Sequence, residues 1–205
     1  MGRRAGGERE RLGLSEDPRL FVAVPLSEPA RAAVADLVDR IRATEPEGRG
    51  VRWVRLDGLH LTLRFLGPTP EPRVADLATA VTRAAPGTPP FAIRIAGAGS
   101  FPPTGRPRTL WLDIDVGAAE LAALASRLDD ALADAGWDRE RRPFRAHLTL
   151  ARADGVRAGP ATVASLKAAA ADLAIESPIE RLVLFESLTG SGRAHYVERH
   201  SAALG

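Results

Sequence analysis

The sequence predicts an α+β fold built on antiparallel sheets. Three observations predict it. Helical and extended segments alternate along the chain, yet several extended segments are joined directly by short turns. The extended segments alternate apolar and polar residues, the pattern of strands with one buried face. One such segment, His-Leu-Thr-Leu, occurs at 60–63 and again at 147–150, 87 positions later, which points to two similar halves sharing one site.

Arg19 to Val24 is a β-rich run stopped by Pro25, hence a strand. Ser27 before Pro29 reads as an N-cap and first-turn proline. Val34, Leu37, Val38 and Ile41 continue at helical spacing to about Thr44, ahead of Pro46 and a turn from Glu47 to Gly50. Val51 to Val54 is a short strand and Asp57-Gly58 a turn. Leu59 to Leu66 is the first motif strand, stopped by Gly67 and Pro68. Glu71 to Ala84 is a helix with Val74, Leu77, Ala78 and Val81 inward. Pro86 to Pro90 is a loop and the expected seam between a first lobe, about 19–88, and a second, about 89–205, with strand exchange between them allowed.

In the second half, Phe91 to Ile95 is a strand and Gly97 to Arg108 a Gly/Pro-rich loop. Thr109 to Val116 is a strand. Ala118 to Ala135 is a helix with Leu121, Leu124, Leu128 and Leu132 on one face and Gly136 as its stop. Phe144 to Ala151 carries the second motif. Thr162 to Leu173 reads as a helix, Ile179 to Ser187 as a strand, and Ala194 to Arg199 as a last strand after the Gly190-Ser191-Gly192 turn. Trp53, Trp111 and Trp137 read as packing residues, His195 as a loop residue and His200 as exposed tail; His195 and Tyr196 are also placed to help hold a base.

A chain of 205 residues with 45% apolar and 26% charged residues can bury a sizeable core. No apolar run reaches the ~18–20 residues of a membrane helix. Met1 to Arg19 holds five arginines and four acidic residues with no apolar segment, so residues 1–18 read as a flexible extension, not a signal peptide. The absence of cysteine excludes disulfides, thiol catalysis and Cys-ligated metals, and fits a cytoplasmic protein. Net charge is only +2 although the pI is near 9.8, because Lys167 is the one lysine and arginine keeps its proton to very high pH. That pattern reflects compositional bias toward arginine more than phosphate recognition by guanidinium forks.

In each motif the histidine and threonine share one strand face and stand ~6–7 Å apart. Imidazole titrates near neutrality, so two such groups can serve as acid and base. A phosphoester displacement needs that pairing, since the nucleophile enters opposite the leaving group. The hydroxyls of Thr62 and Thr149, with an arginine, suit the charge gathering on the phosphoryl oxygens. Strict alternation places Arg64 beside His60 and Thr62, with Leu59, Leu61, Leu63 and Phe65 behind; there Arg64 either lines the cleft or solvates an edge. It places Arg152 opposite His147, so Arg152 reaches the cleft only if the strand ends or twists near Ala151. Phe21 reads as core packing first, with stacking of a nucleobase at the cleft edge as its second reading. No Walker loop, dinucleotide fingerprint or zinc-ligand spacing is present, so no cofactor and no metal are expected.

Two His-x-Thr-x motifs at this separation resemble the 2H phosphoesterase superfamily. The flanks Arg19-Leu20-Phe21-Val22-Ala23-Val24, Val51-Arg52-Trp53-Val54, Leu59 to Gly67, Leu110-Trp111-Leu112 and Phe144 to Arg152 narrow this to the RNA 2',3'-cyclic phosphodiesterases, also called 2'-5' RNA ligases (the LigT/ThpR group). The resemblance spans about Arg19 to Val197. It implies two pseudo-twofold-related antiparallel sheets, helices outside and a central cleft. It also implies hydrolysis of the 2',3'-cyclic phosphate at an RNA 3' end, or on a nucleotide, to a 2'-phosphate. On that resemblance His60 is the acid and His147 the base, a division the sequence itself does not fix; Thr62 and Thr149 bind phosphate, and Arg152 contacts it. Ala146 stands where the family usually has proline. A metal-independent monomer with no membrane contact is expected. The alternatives are 2'-5' ligation or 2'-5' linkage cleavage, action on small cyclic nucleotides, and a non-catalytic RNA-binding module.

Overall fold

The structure, a computed structural model, describes residues 17–44, 50–154, 160–188 and 194–205. Most of the expected N-terminal extension, most of the turn after Pro46 and the Gly190-Ser191-Gly192 turn lie outside these residues. The chain runs β1 (Arg19–Pro25), α1 (Glu28–Thr44), β2 (Val51–Trp53), β3 (His60–Pro68), α2 (Val74–Ala84), β4 (Phe91–Phe101) and β5 (Thr109–Val116). Then follow α3 (Ala118–Asp134), β6 (His147–Ala153), α4 (Pro160–Ala169), β7 (Ile175–Ile179), β8 (Arg181–Leu188) and β9 (His195–Ala203). Ser27 caps α1 as its sequence position suggests, its Oγ accepting from Ala30 N at 3.4 Å. No described helix is long and apolar enough to cross a membrane.

Two antiparallel sheets result, with strand orders β3-β1-β8-β9 and β2-β6-β5-β4-β7. The seam near Pro86–Pro90 is crossed in both directions, because β2 joins the second sheet while β8 and β9 join the first. Helices cross over too. Helix α1 follows β1 of the four-stranded sheet but packs on β7 of the other, beside α4. Helix α3 connects two strands of the five-stranded sheet yet packs on α2 and β3. One continuous apolar cluster therefore joins the helix sides of both sheets, from Val22 and Leu61 to Leu112 and Leu148.

Three expectations are corrected here. The stretch read as a loop from Gly97 is strand for five more residues, to Phe101. Its small residues are there for packing: a Cβ on Gly99 would lie 2.3 Å from Trp111 Cη2. The proline-containing strand Ile175–Ile179 went unread, and it occupies an edge, where a missing N–H is tolerated. His195 and His200 both lie on β9, and His200 is half-buried with its Nε2 2.8 Å from Thr82 Oγ1.

Each motif strand carries one extra residue directly after its threonine. Thr62 pairs with Ala23 and Arg64 with Val22, which leaves Leu63 as a bulge. Thr149 pairs with Trp111 and Ala151 with Leu110, which leaves Leu150 as a bulge. A bulge reverses the alternation beyond it. Arg64 thus turns to the helix side, where its Nη1 donates to Asp129 Oδ1 on α3 at 2.9 Å and its Nη2 donates to the Asp138 carbonyl. The expected place of Arg64 in the cleft is corrected to a tie between β3 and α3. Phe65, expected in the core, instead emerges on the cleft face, 63% exposed.

Replacing Arg64 with Met keeps the stem and removes the fork, leaving the largely buried Asp129 without this partner. The expected loss is about 1–2 kcal/mol, read as a lower urea midpoint at unchanged m-value. An unchanged midpoint would show the pair to be energetically neutral.

Candidate active site

Strands β3 and β6 approach within 8 Å Cα to Cα along the junction of the two sheets, which brings the two motifs to one cleft. Their neighbours correspond strand for strand. Pro25, Ala23 and Phe21 of β1 face His60, Thr62 and Phe65. Asp113, Trp111 and Thr109 of β5 face His147, Thr149 and Arg152. Arg152 and Phe65 are therefore counterparts. The bulge at Leu150 supplies the turn that Arg152 needs to leave the face opposite His147.

Each histidine is held the same way. His60 Nδ1 lies 2.7 Å from the Gly58 carbonyl, and His147 Nδ1 lies 2.8 Å from the Arg145 carbonyl. A carbonyl only accepts, so Nδ1 carries the proton in both rings, and Nε2 is left as the basic nitrogen. Gly58 also lacks a Cβ that would sit 3.0 Å from Tyr196 Cδ2. Thr62 and Thr149 are half-buried, and neither hydroxyl is engaged by another described residue.

The surroundings of the two rings differ in chemistry. Phe21 lies 4.8 Å from the His60 ring, Phe185 5.8 Å, and Tyr196 stands edge-on at 4.9 Å. Phe21 is 3% exposed, so it props His60 from below and presents no open face to a base; its expected stacking role is corrected on that ground. His147 meets Phe101 edge-on at 5.1 Å and Trp111 at 6.3 Å. The Arg145 guanidinium covers Trp111 at 4.5 Å. Arg152 Nη1 donates to Thr109 Oγ1 at 2.6 Å.

Burial pushes both imidazoles below their ordinary value near 6.5, against the pull of the Gly58 and Arg145 carbonyls. Charge then separates them. The guanidinium groups of Arg152 and Arg145 lower His147 further, and Asp113 raises it, whereas no charged group acts on His60. Arg152 also pulls down the Tyr196 phenol, which burial pushes up. Among the described residues no group of three or more His, Cys, Asp or Glu side chains could hold a metal ion.

The structure gathers His60, Thr62, His147, Thr149 and Arg152 and sends Arg64 elsewhere. Sequence reasoning missed the two carbonyls, Phe185, Phe101, Asp113 and Arg145. Only the carbonyls carried a signal, as both stand two residues before their histidines.

Fold and site together define a bilobal two-histidine phosphoesterase architecture. The chain belongs to the 2'-5' RNA ligase superfamily, whose family profile matches residues 28–190. It is 34% identical over 134 residues to the RNA 2',3'-cyclic phosphodiesterase of Aeropyrum pernix, covering 65% of this chain and 73% of that one. A relative of the same name from Geobacillus stearothermophilus is 33% identical over 132 residues; the match covers 64% of this chain but only 41% of that protein's length. Escherichia coli LigT complexed with 3'-AMP superposes with a TM-score of 0.71 at 27% identity, covering 92% of this chain and 99% of LigT.

Histidine titration followed by NMR should give midpoints below 6.5 for both rings. Arg152→Ala removes a positive charge, so it should raise the His147 midpoint and leave that of His60 in place. Equal shifts in both would contradict the charge assignment.

Proposed function

We propose that the protein hydrolyses the 2',3'-cyclic phosphate at an RNA 3' end to a 2'-phosphomonoester, with His60 and His147 as acid and base. The observation that carries this is the matched pair of imidazoles, each fixed through Nδ1 to the carbonyl two residues earlier, which leaves Nε2 as the basic nitrogen, and each two residues before a threonine on its strand. Proteins named RNA 2',3'-cyclic phosphodiesterase among the relatives support it.

Water attacks phosphorus on the side away from O3'. His147 Nε2 takes its proton as the new P–O bond forms. The P–O3' bond breaks, and O3' takes a proton from His60 Nε2. The 2'-phosphate remains, and the two imidazoles exchange protons with solvent before the next cycle. His147 suits the base role because burial, and after it the Arg152 and Arg145 guanidinium groups, lower its affinity for a proton. His60 is lowered by burial without a nearby cation, and an anionic substrate would offset that lowering, which suits the acid role. Thr62, Thr149 and Arg152 bind the phosphoryl oxygens, where charge gathers. This chemistry calls for no metal ion. We read residues 19–205 as one unit, since each sheet takes strands from both halves. We also read it as a monomer, one chain supplying both histidines, and as cytoplasmic, in keeping with its lack of cysteine.

Either His60→Ala or His147→Ala should lower kcat by at least ~10²-fold, with wild-type turnover indifferent to EDTA. Activity that survives both replacements would sink the proposal. The kcat/KM profile should be a bell with both limbs below about pH 6.5, because the acid must be charged and the base neutral while burial lowers both. Phosphorus NMR of the product separates a 2'-phosphate from ligated or 2'-5'-cleaved RNA.

A further inference from the structure

The two sheets correspond strand for strand except in one place. Strand β2 has no partner in the four-stranded sheet, where β3 is itself the edge. It is therefore an addition to the His147 side of the cleft alone. Its middle residue, Arg52, pairs in register with Arg152. Cross-strand partners project from the same face, so a single row crosses the cleft side: Arg52, Arg152, Thr109 and Phe101. Val51 and Trp53 lie to either side of Arg52 and pack on the core.

Two like charges side by side on a strand pair are unfavourable unless something neutralises them. No described acid does so. Arg52 is exposed and forms no ion pair among the described residues, and Arg152 bonds only the neutral hydroxyl of Thr109. The carboxylate of Asp154 lies over Gly50, one pleat beyond the row. The opposite half of the cleft offers no such charge, because the counterpart of Arg152 is Phe65 and that of Thr109 is Phe21.

We propose that Arg52, beside Arg152, forms a second phosphate site that takes the phosphate on the 5' side of the reacting nucleotide, the next anion along the chain. This rests on the hydrolase reading above. The two arginine stems stand one inter-strand spacing apart, ~5 Å, the scale of one step along a ribose–phosphate chain. Arg152 serves the cyclic phosphate while Arg52 serves the next anion. The added strand thereby lets the enzyme prefer an RNA chain to a lone nucleotide. The row also gives the bound strand a direction, with its 5' portion leaving over β2.

The test compares Arg52→Ala and Arg52→Lys with wild type on cytidine 2',3'-cyclic phosphate, on its 5'-phosphorylated form, and on a tetraribonucleotide with a 2',3'-cyclic end. Arg52→Ala should raise KM about tenfold on the tetranucleotide at unchanged kcat and leave the unphosphorylated mononucleotide unaffected. Arg52→Lys should recover most of the loss. The 5'-phosphorylated mononucleotide carries that phosphate too and should show the same rise; a rise confined to the tetranucleotide would move the site further upstream and overturn this placement. The same change on all three substrates, or on none, would overturn the site. Binding of a 5'-labelled, 3'-phosphorylated tetranucleotide by fluorescence anisotropy needs no turnover. There Arg52→Ala should flatten the log Kd against log salt slope by ~0.7; an unchanged slope overturns the proposal. If wild type opens none of the cyclic substrates, the hydrolase reading fails, and the salt slope still decides the anion site.

Discussion

A strand sends alternate side chains to opposite faces, and what lines the cleft beyond each threonine depends on one interruption of that rule in each motif. Without the extra residue at Leu63 and Leu150, Arg152 would point into the helices and Phe65 into the core. With it, the residue five positions after each histidine returns to the histidine's face. The cost is a local loss of ladder pairing. It is confined to leucines whose side chains remain buried.

The same geometry recurs on both sides, but the chemistry it presents does not. An aromatic floor of Phe21, Phe185 and Tyr196 desolvates His60 and leaves its charge to whatever anion arrives. Around His147 the desolvation is weaker, and cations contribute. Two identical tetrapeptides thus become inequivalent through their neighbours on β1 and β5. Symmetry supplies opposed geometry of the kind an in-line displacement requires, and its local breaking gives the two imidazoles different electrostatic surroundings.

Much of this was legible in the sequence. The repeated tetrapeptide gave the two histidines and threonines, because residue type and period-two spacing are local properties. The strand and helix limits came close where proline, glycine or a cap marks them, as at Ser27 and Pro25. What escaped depends on pairing register. Arg64, Phe65 and Arg152 could not be placed by alternation, since a bulge appears only when a strand is seen beside its partner. Gly97 to Ser100 looked like loop because the reason for Gly99 is a Trp111 ring that lies far along the chain. Phe21 has the composition of a stacking residue, and only its burial beneath His60 removes it from that role. The carbonyls that fix the imidazoles belong to backbone, and only their matched place two residues before each histidine hinted at them.

The exchange of strands and helices between the halves constrains how the chain can mature. Strand β1 sits between β3 and β8, so the first sheet stays incomplete until residues beyond Arg181 are available. Both motif histidines leave the ribosome well before that. A nascent chain that already holds them exposes one edge of β1, an apolar strand, to solvent and to other chains. Vectorial synthesis therefore delays assembly of the cleft to the last steps, with long-range pairing as the slow event. Truncation near the C-terminus would accordingly damage the His60 side first, although His60 lies in the first third of the sequence.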